Sequence, residues 1–121
     1  MYYNAVNMES KSNRVLGGFE SLLMMAILRL GDGAYGVTIR QELLERARKD
    51  IAIGAIYTSL NRLEQKGFVE SWLGDPTTER GGRAKRFYRL TAAGLNALND
   101  TQRAMQSMLD GLTLIREVTN A

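Results

Sequence analysis

Histidine and cysteine are both absent from the 121-residue chain, and proline occurs once, at Pro76. Without histidine the commonest general base and metal ligand are gone, so catalytic triads and histidine-containing metal clusters are excluded. Without cysteine there is no disulfide framework, thiolate nucleophile or cysteine metal cage, which suits a reducing compartment. Catalysis would have to rest on carboxylates or lysine, and no acidic pair falls on an evident pocket-lining segment. An enzyme is not expected, nor is a metal or other cofactor. Long hydrophobic runs are missing too. The longest, Leu22 to Leu28, is far too short to span a bilayer, and Met1 to Gly17 lacks the apolar core of a signal peptide. The chain therefore reads as cytoplasmic with no membrane segment, and residues 1–17 read as an N-terminal arm.

What is present has the balance of one ordinary globular domain, with 45% hydrophobic and 24% charged residues. That is enough apolar surface for a single core without staples. Net charge is +3, but it is unevenly placed. Arg80, Arg83, Lys85, Arg86 and Arg89 put five cations into ten residues with no acid among them. Taken from the sixteen basic residues, they leave eleven against thirteen acids. The loop reads either as one polyanion-facing edge on a near-neutral body or as an ordinary solvated loop.

Along the chain, Phe19, Leu22, Leu23, Ala26, Ile27 and Leu30 recur at the spacing of an amphipathic helix, with Met24, Met25 and Leu28 on its other side. Such a helix is apolar nearly all round and needs covering on two sides. Gly31, Asp32 and Gly33 end it. A second periodic stretch, Val37, Ile39, Leu43 and Leu44, runs to Arg48. A third has Ile53, Ile56, Leu60 and Leu63 on its inner face and stops at Gly67. Phe68 to Leu73 and Lys85 to Leu90 then read as two strands of a hairpin with a long cationic tip. Thr91 caps a last helix that can run to about Glu117. Three helices, a hairpin and a long helix make the order of a winged helix-turn-helix, mainly α with a small β-hairpin. Residues 18–91 form that domain and 92–121 the C-terminal helix.

At 100° per residue the third helix turns Gly54, Thr58, Asn61, Arg62 and Gln65 outward. Gly54 and Ala55 leave little side chain at its N-terminal end, so backbone can come near a groove. Thr58 and Asn61 offer hydrogen bonds to base edges or phosphates. Tyr57 flanks this face, either reaching a phosphate or completing the core. Arg62 either joins the face or pairs with Glu64. A solvated polar face is the plain reading of such a helix. The cationic hairpin just downstream favours the other, because helix and wing together provide base readout and backbone contacts. Gly81 and Gly82 suit a wing tip that approaches closely, while Trp72 reads as a packing residue.

The stretch from Phe19 to Gly94 resembles the PadR family of bacterial winged-helix regulators. The segments that carry the likeness are Phe19-Glu20 and the apolar run after it, Gly31 to Gly36, Gly54 to Tyr57, Leu60 to Val69, and Glu79 to Gly94. The resemblance implies a homodimer that binds a palindromic operator in double-stranded DNA, commonly as a repressor released by a small molecule. It also implies DNA-facing roles for Tyr35 and Gly36, for Gly54, Ala55, Tyr57 and Thr58, and for Arg80, Gly81, Gly82, Arg83, Lys85 and Arg86. Asn61 and Arg62 come from the helical wheel. The chain resembles the short family members that carry a single C-terminal helix. A winged-helix module that binds a protein partner without DNA is the alternative reading, against which the intact cationic wing argues.

In the last helix Leu95, Leu98, Met105, Leu109 and Leu112 recur at alternating steps of three and four, interrupted by Gln102. A stripe longer than a three-helix body can cover needs another surface, and a second copy is the simplest supplier. The expected dimer interface is therefore Met24, Leu28, Leu95, Leu98, Gln102, Met105, Leu109 and Leu112. Packing back on helix one is the other reading, and both can hold. Met24, Met25, Met105 and Met108 offer an adaptable lining for a small apolar effector, although methionine stripes are more often core.

Overall fold

The structure, a computed structural model, describes residues 15–75 and 84–113. The expected arm through Arg14 and the wing residues Arg80, Gly81, Gly82 and Arg83 lie outside the described residues. Helix α1 (Gly18–Leu30) leads through a 3-10 turn (Gly31–Gly33) into α2 (Gly36–Ala47), and α3 (Ile53–Gln65) follows. Strands β1 (Val69–Leu73) and β2 (Arg86–Leu90) form an antiparallel pair in which Val69 faces Leu90 and Leu73 faces Arg86. Helix α4 (Ala92–Leu109) is the last full element among the described residues.

The elements start where local chemistry favours it. Glu20 reaches back so that Gly17 N donates to its Oε1 at 3.1 Å, satisfying an amide that the first turn of α1 leaves open. Thr38 does the same for α2, accepting from Tyr35 N at 3.0 Å while its hydroxyl donates to the Gly33 carbonyl at 2.6 Å. Thr91 caps α4 by accepting from Gly94 N at 3.0 Å. Its hydroxyl also donates to the Gly67 carbonyl at 2.6 Å, and its own amide donates to the Phe68 carbonyl at 3.0 Å. One threonine thus pins the start of α4 to the turn between α3 and β1.

The core sits where α1, α2, α3 and the hairpin meet: Leu23, Met24, Ile27, Ile39, Leu43, Ile56, Leu60, Leu63, Val69 and Tyr88 are buried. A third, minimal strand flanks β2, where Tyr35 bridges to Phe87 and Tyr88 N donates to the Ala34 carbonyl at 2.9 Å. Lys66 at the end of α3 pairs with Glu20 at 2.6 Å, tying the far end of that helix to the start of α1.

Several expectations change here. Met24 and Leu98 are sealed inside the chain's own core, so neither side chain is available to a partner. Leu16 is buried as well, its amide donating to Thr101 Oγ1 at 3.1 Å, so the end of the expected arm is docked on α4. Val37 (59% exposed), Leu44 and Ile53 (40%), counted in the apolar patterns of their helices, stand in solvent around a cleft, Val37 and Leu44 because they lie on a different side of α2 from the buried Ile39 and Leu43. The last helix stops at Leu109 rather than near Glu117: Asp110 leaves helical geometry and Gly111 adopts a φ of +80°. The four methionines do not line one cavity, since Met24 is in the core and Met105 and Met108 are exposed.

Candidate nucleic-acid interface

Helix α3 is held by Ile56, Leu60 and Leu63, all fully buried, which presents the opposite side of the helix to solvent. Gly54, Ala55, Thr58, Asn61 and Arg62 are all exposed there. The Thr58 hydroxyl donates to the Gly54 carbonyl at 3.0 Å, a back-bond that leaves its oxygen free to accept. Among the described residues no ion pair engages Arg62, and Glu64 turns instead toward the hairpin.

Tyr57 is 38% exposed and joins this face to its neighbours. Its phenol lies against Gly36 at the first position of α2, so tightly that a Cβ there would overlap the ring. Tyr35 sits beside it, its ring edge-on to Phe87 with centroids 5.5 Å apart. Phe87 in turn stacks on Trp72 at 5.9 Å. Trp72 is thus a packing residue in an aromatic ladder across the hairpin, and Arg89 lies 5.3 Å over its ring.

Two cations are set into this junction. Lys85 Nζ lies 4.7 Å over the Tyr35 ring, a cation–π contact at the mouth of the hairpin. Arg86 Nη1 donates to Ser71 Oγ at 3.0 Å, and Ser71 Oγ donates to Glu64 Oε2 at 2.8 Å. Tyr88 lies buried in the same region. Burial raises its pKa above 10.0, Tyr57 pushes the same way, Arg86 opposes, and Glu64 adds to the rise.

The start of α2, the exposed face of α3 and the base of the hairpin therefore converge on Tyr35, Gly36, Tyr57, Lys85 and Arg86. These five were expected at the interface, and the structure brings them together. Ser71 and Glu64 were not expected there. Their roles depend on strand register, and a serine and a glutamate in a hairpin sequence carry no signal of it. The arrangement offers a small, polar helix face beside two cationic side chains, donors and acceptors of the kind that meet base edges and phosphates. No group of described residues has the makings of a metal site, and no described helix is long and apolar enough to cross a membrane.

Three helices, a hairpin flanked by a bridging residue and a helix leaving from the second strand define a winged helix-turn-helix protein. Residues 24–100 match the model of the transcriptional regulator PadR-like family. The chain belongs to that family of transcriptional regulators. It is 34% identical over 74 residues to a transcriptional regulator of Mycobacterium tuberculosis, covering 61% of this chain and 64% of the relative. Its fold is similar to a PadR family transcription regulator of Clostridium difficile, with a TM-score of 0.60 and 25% identity over 85% of this chain and 96% of that one. It is also similar in fold to Bacillus subtilis PadR solved in complex with operator DNA, with a TM-score of 0.55 and 24% identity over 66% of this chain and 44% of that one.

Proposed function

We propose that the protein is a homodimeric, sequence-specific DNA-binding repressor of a palindromic operator in the cytoplasm. The observation that carries this reading is the chain of contacts at the start of α2, where Tyr57 of α3 packs on Gly36, Lys85 lies over the neighbouring Tyr35, and Arg86 is linked through Ser71 to Glu64 of α3. Gly54, Ala55, Thr58, Asn61 and Arg62 read base edges in the major groove, Tyr35 and Gly36 approach a phosphate, and the wing from Arg80 to Arg86 holds the backbone. The solved operator complex of Bacillus subtilis PadR supports DNA as the partner.

Dimerisation is supported by α4, which carries no buried side chain beyond Thr101. Met105 (53% exposed), Met108 (77%) and Leu109 stand in solvent there and Leu112 just past its end, with Leu95 and Gln102 nearer its start and Leu28 on α1. A stripe of this kind at the end of a small domain is stable when a second copy covers it. Release by a small, largely apolar effector completes the reading, supported by a cleft of about 300 Å³ floored by Leu22, Met25, Ala26, Leu43 and Ala47 and rimmed by Arg29, Glu42 and Arg46.

Selection of bound sequences from random double-stranded DNA tests the reading. A two-fold symmetric site bound by two chains is expected. Failure to enrich any sequence, at low as well as moderate salt, overturns it. A promoter–reporter assay on the selected site reads the sign of regulation.

A further inference from the structure

Arg86 differs from the other cations of the hairpin in how it is held. Its side chain lies on the face of the hairpin shared by Ser71 and the buried Tyr88, as the pairing of Leu73 with Arg86 and Ser71 with Tyr88 requires. From there it donates one N–H to Ser71 Oγ at 3.0 Å. The same hydroxyl spends its proton on Glu64 Oε2, 2.8 Å away on α3. A serine hydroxyl has one proton to give and lone pairs to accept with, so both bonds form at once and each fixes the direction of the other.

No ion pair joins Glu64 to Arg86 directly among the described residues. That separation matters. A direct Arg–carboxylate fork would engage two N–H groups and neutralise the charge at contact distance. With the hydroxyl interposed, one N–H is used for aim, the other donors of the fork remain unclaimed among the described residues, and the cationic charge stays available. Ser71 is half-buried and sits on a strand, so its position is set by the sheet rather than by solvent. The relay also spans the two parts of the reader, since Glu64 belongs to α3 and Arg86 to β2.

We propose that Ser71 and Glu64 are positioning residues that aim Arg86 at a DNA phosphate lying between the groove read by α3 and the wing. This rests on the DNA-binding reading above and adds two residues to it. Phosphate contacts carry no sequence information, so the relay acts on affinity and salt dependence and leaves base preference alone.

The test is a double-mutant cycle on the selected operator, read as dissociation constants over a series of salt concentrations, with melting temperatures taken alongside. Arg86→Ala is expected to weaken binding roughly tenfold and to lower the slope of log K against log salt by about 0.9, the loss of one phosphate contact. Ser71→Ala is expected to reproduce most of the slope change with Arg86 still present. Adding it to Arg86→Ala is expected to cost little more. Ser71→Thr keeps the hydroxyl on a residue that strands favour and is expected to retain the wild-type slope. Glu64→Ala is expected to behave like Ser71→Ala, and Glu64→Gln, whose amide oxygen still accepts, like the wild type. A purely structural serine would lower the melting temperature without moving the slope, and that result overturns the proposal. So do independent, additive losses from Ser71→Ala and Arg86→Ala, and so does an unchanged slope in Arg86→Ala. If the wild-type chain binds no DNA at all, the proposed function itself fails, which is a distinguishable outcome.

Discussion

The phenol of Tyr57 on α3 occupies the space a side chain would take on Gly36 at the start of α2. A Cβ at Gly36 would come within 2.5 Å of Tyr57 Cζ and 3.1 Å of Cε2. The contact couples the approach of the two helices to the orientation of the half-exposed Tyr57 ring. Because the ring is partly in solvent, it can swing away from an added methyl group. Gly36→Ala is therefore expected to stay folded, with stability changed by no more than about 1 kcal/mol, while operator affinity drops roughly tenfold as Tyr57 leaves its place. Paired equilibrium unfolding and mobility-shift titrations check this. Unchanged affinity in Gly36→Ala would detach Tyr57 from the interface.

A second glycine has no such escape. A Cβ on Gly94 would run into the backbone of Phe68, coming 2.8 Å from its carbonyl carbon and 3.1 Å from its Cα. Main chain in the turn between α3 and β1 cannot rotate aside. Gly94→Ala is expected to cost about 2–3 kcal/mol in urea unfolding, although alanine is the better helix former. A variant as stable as the wild type would show that α4 can lift off this turn.

Side chains of similar chemistry on α4 should divide by position. Leu98 is in the core with Met24, and truncating either to alanine is expected to lower stability by about 2–5 kcal/mol. Met105 and Met108 are exposed, and Met108→Glu is expected to leave the fold of each chain intact while shifting sedimentation toward the monomer. Operator affinity should fall with it, since a lone reading head keeps one half-site. A dimer that survives both Met105→Glu and Met108→Glu would place the subunit contact elsewhere.

Alkaline stability should carry a mark of Tyr88. Its phenol is buried and its pKa stands above the ordinary 10.0, so above that pH the unfolded chain gives up the proton before the folded one does. The stabilisation is then complete below pH 10 and declines as pH rises through the folded-state value. Tyr88→Phe is expected to flatten this limb relative to the wild type in denaturant midpoints measured from pH 8 to pH 11. Parallel curves would mean that the hydroxyl titrates alike in both states.

Much of this was legible along the chain because burial follows the helical period. Ile56, Leu60 and Leu63 recur at that period, and the residues between them are the ones left in solvent. Periodicity, however, carries no information about where a core stops. Val37 and Leu44 keep helical spacing with each other on a side of α2 turned away from Ile39 and Leu43, Ile53 opens α3, and all three are exposed. Leu98 and Met24 fail the opposite way: the place of Leu98 in the stripe of the last helix and of Met24 on the second apolar side of α1 suggested a partner, and the chain's own core takes both. Contacts made through register were invisible. Lys85 meets Tyr35, and Arg86 meets the Ser71 hydroxyl that in turn reaches Glu64, only once β2 has paired with β1 and with Tyr35.

Thr91 and Gly94 clamp the first turn of α4 to the reading domain, and past Thr101 the same helix buries no side chain among the described residues. Within a dimer built on that helix, it acts as a rigid spacer between two heads. Each residue inserted between clamp and contact would advance one head by about 1.5 Å and turn it by about 100°. In such a dimer the distance and phase of the two half-sites along DNA would follow from the length of this one helix, and lengthening it would change operator spacing without touching α3 or the hairpin.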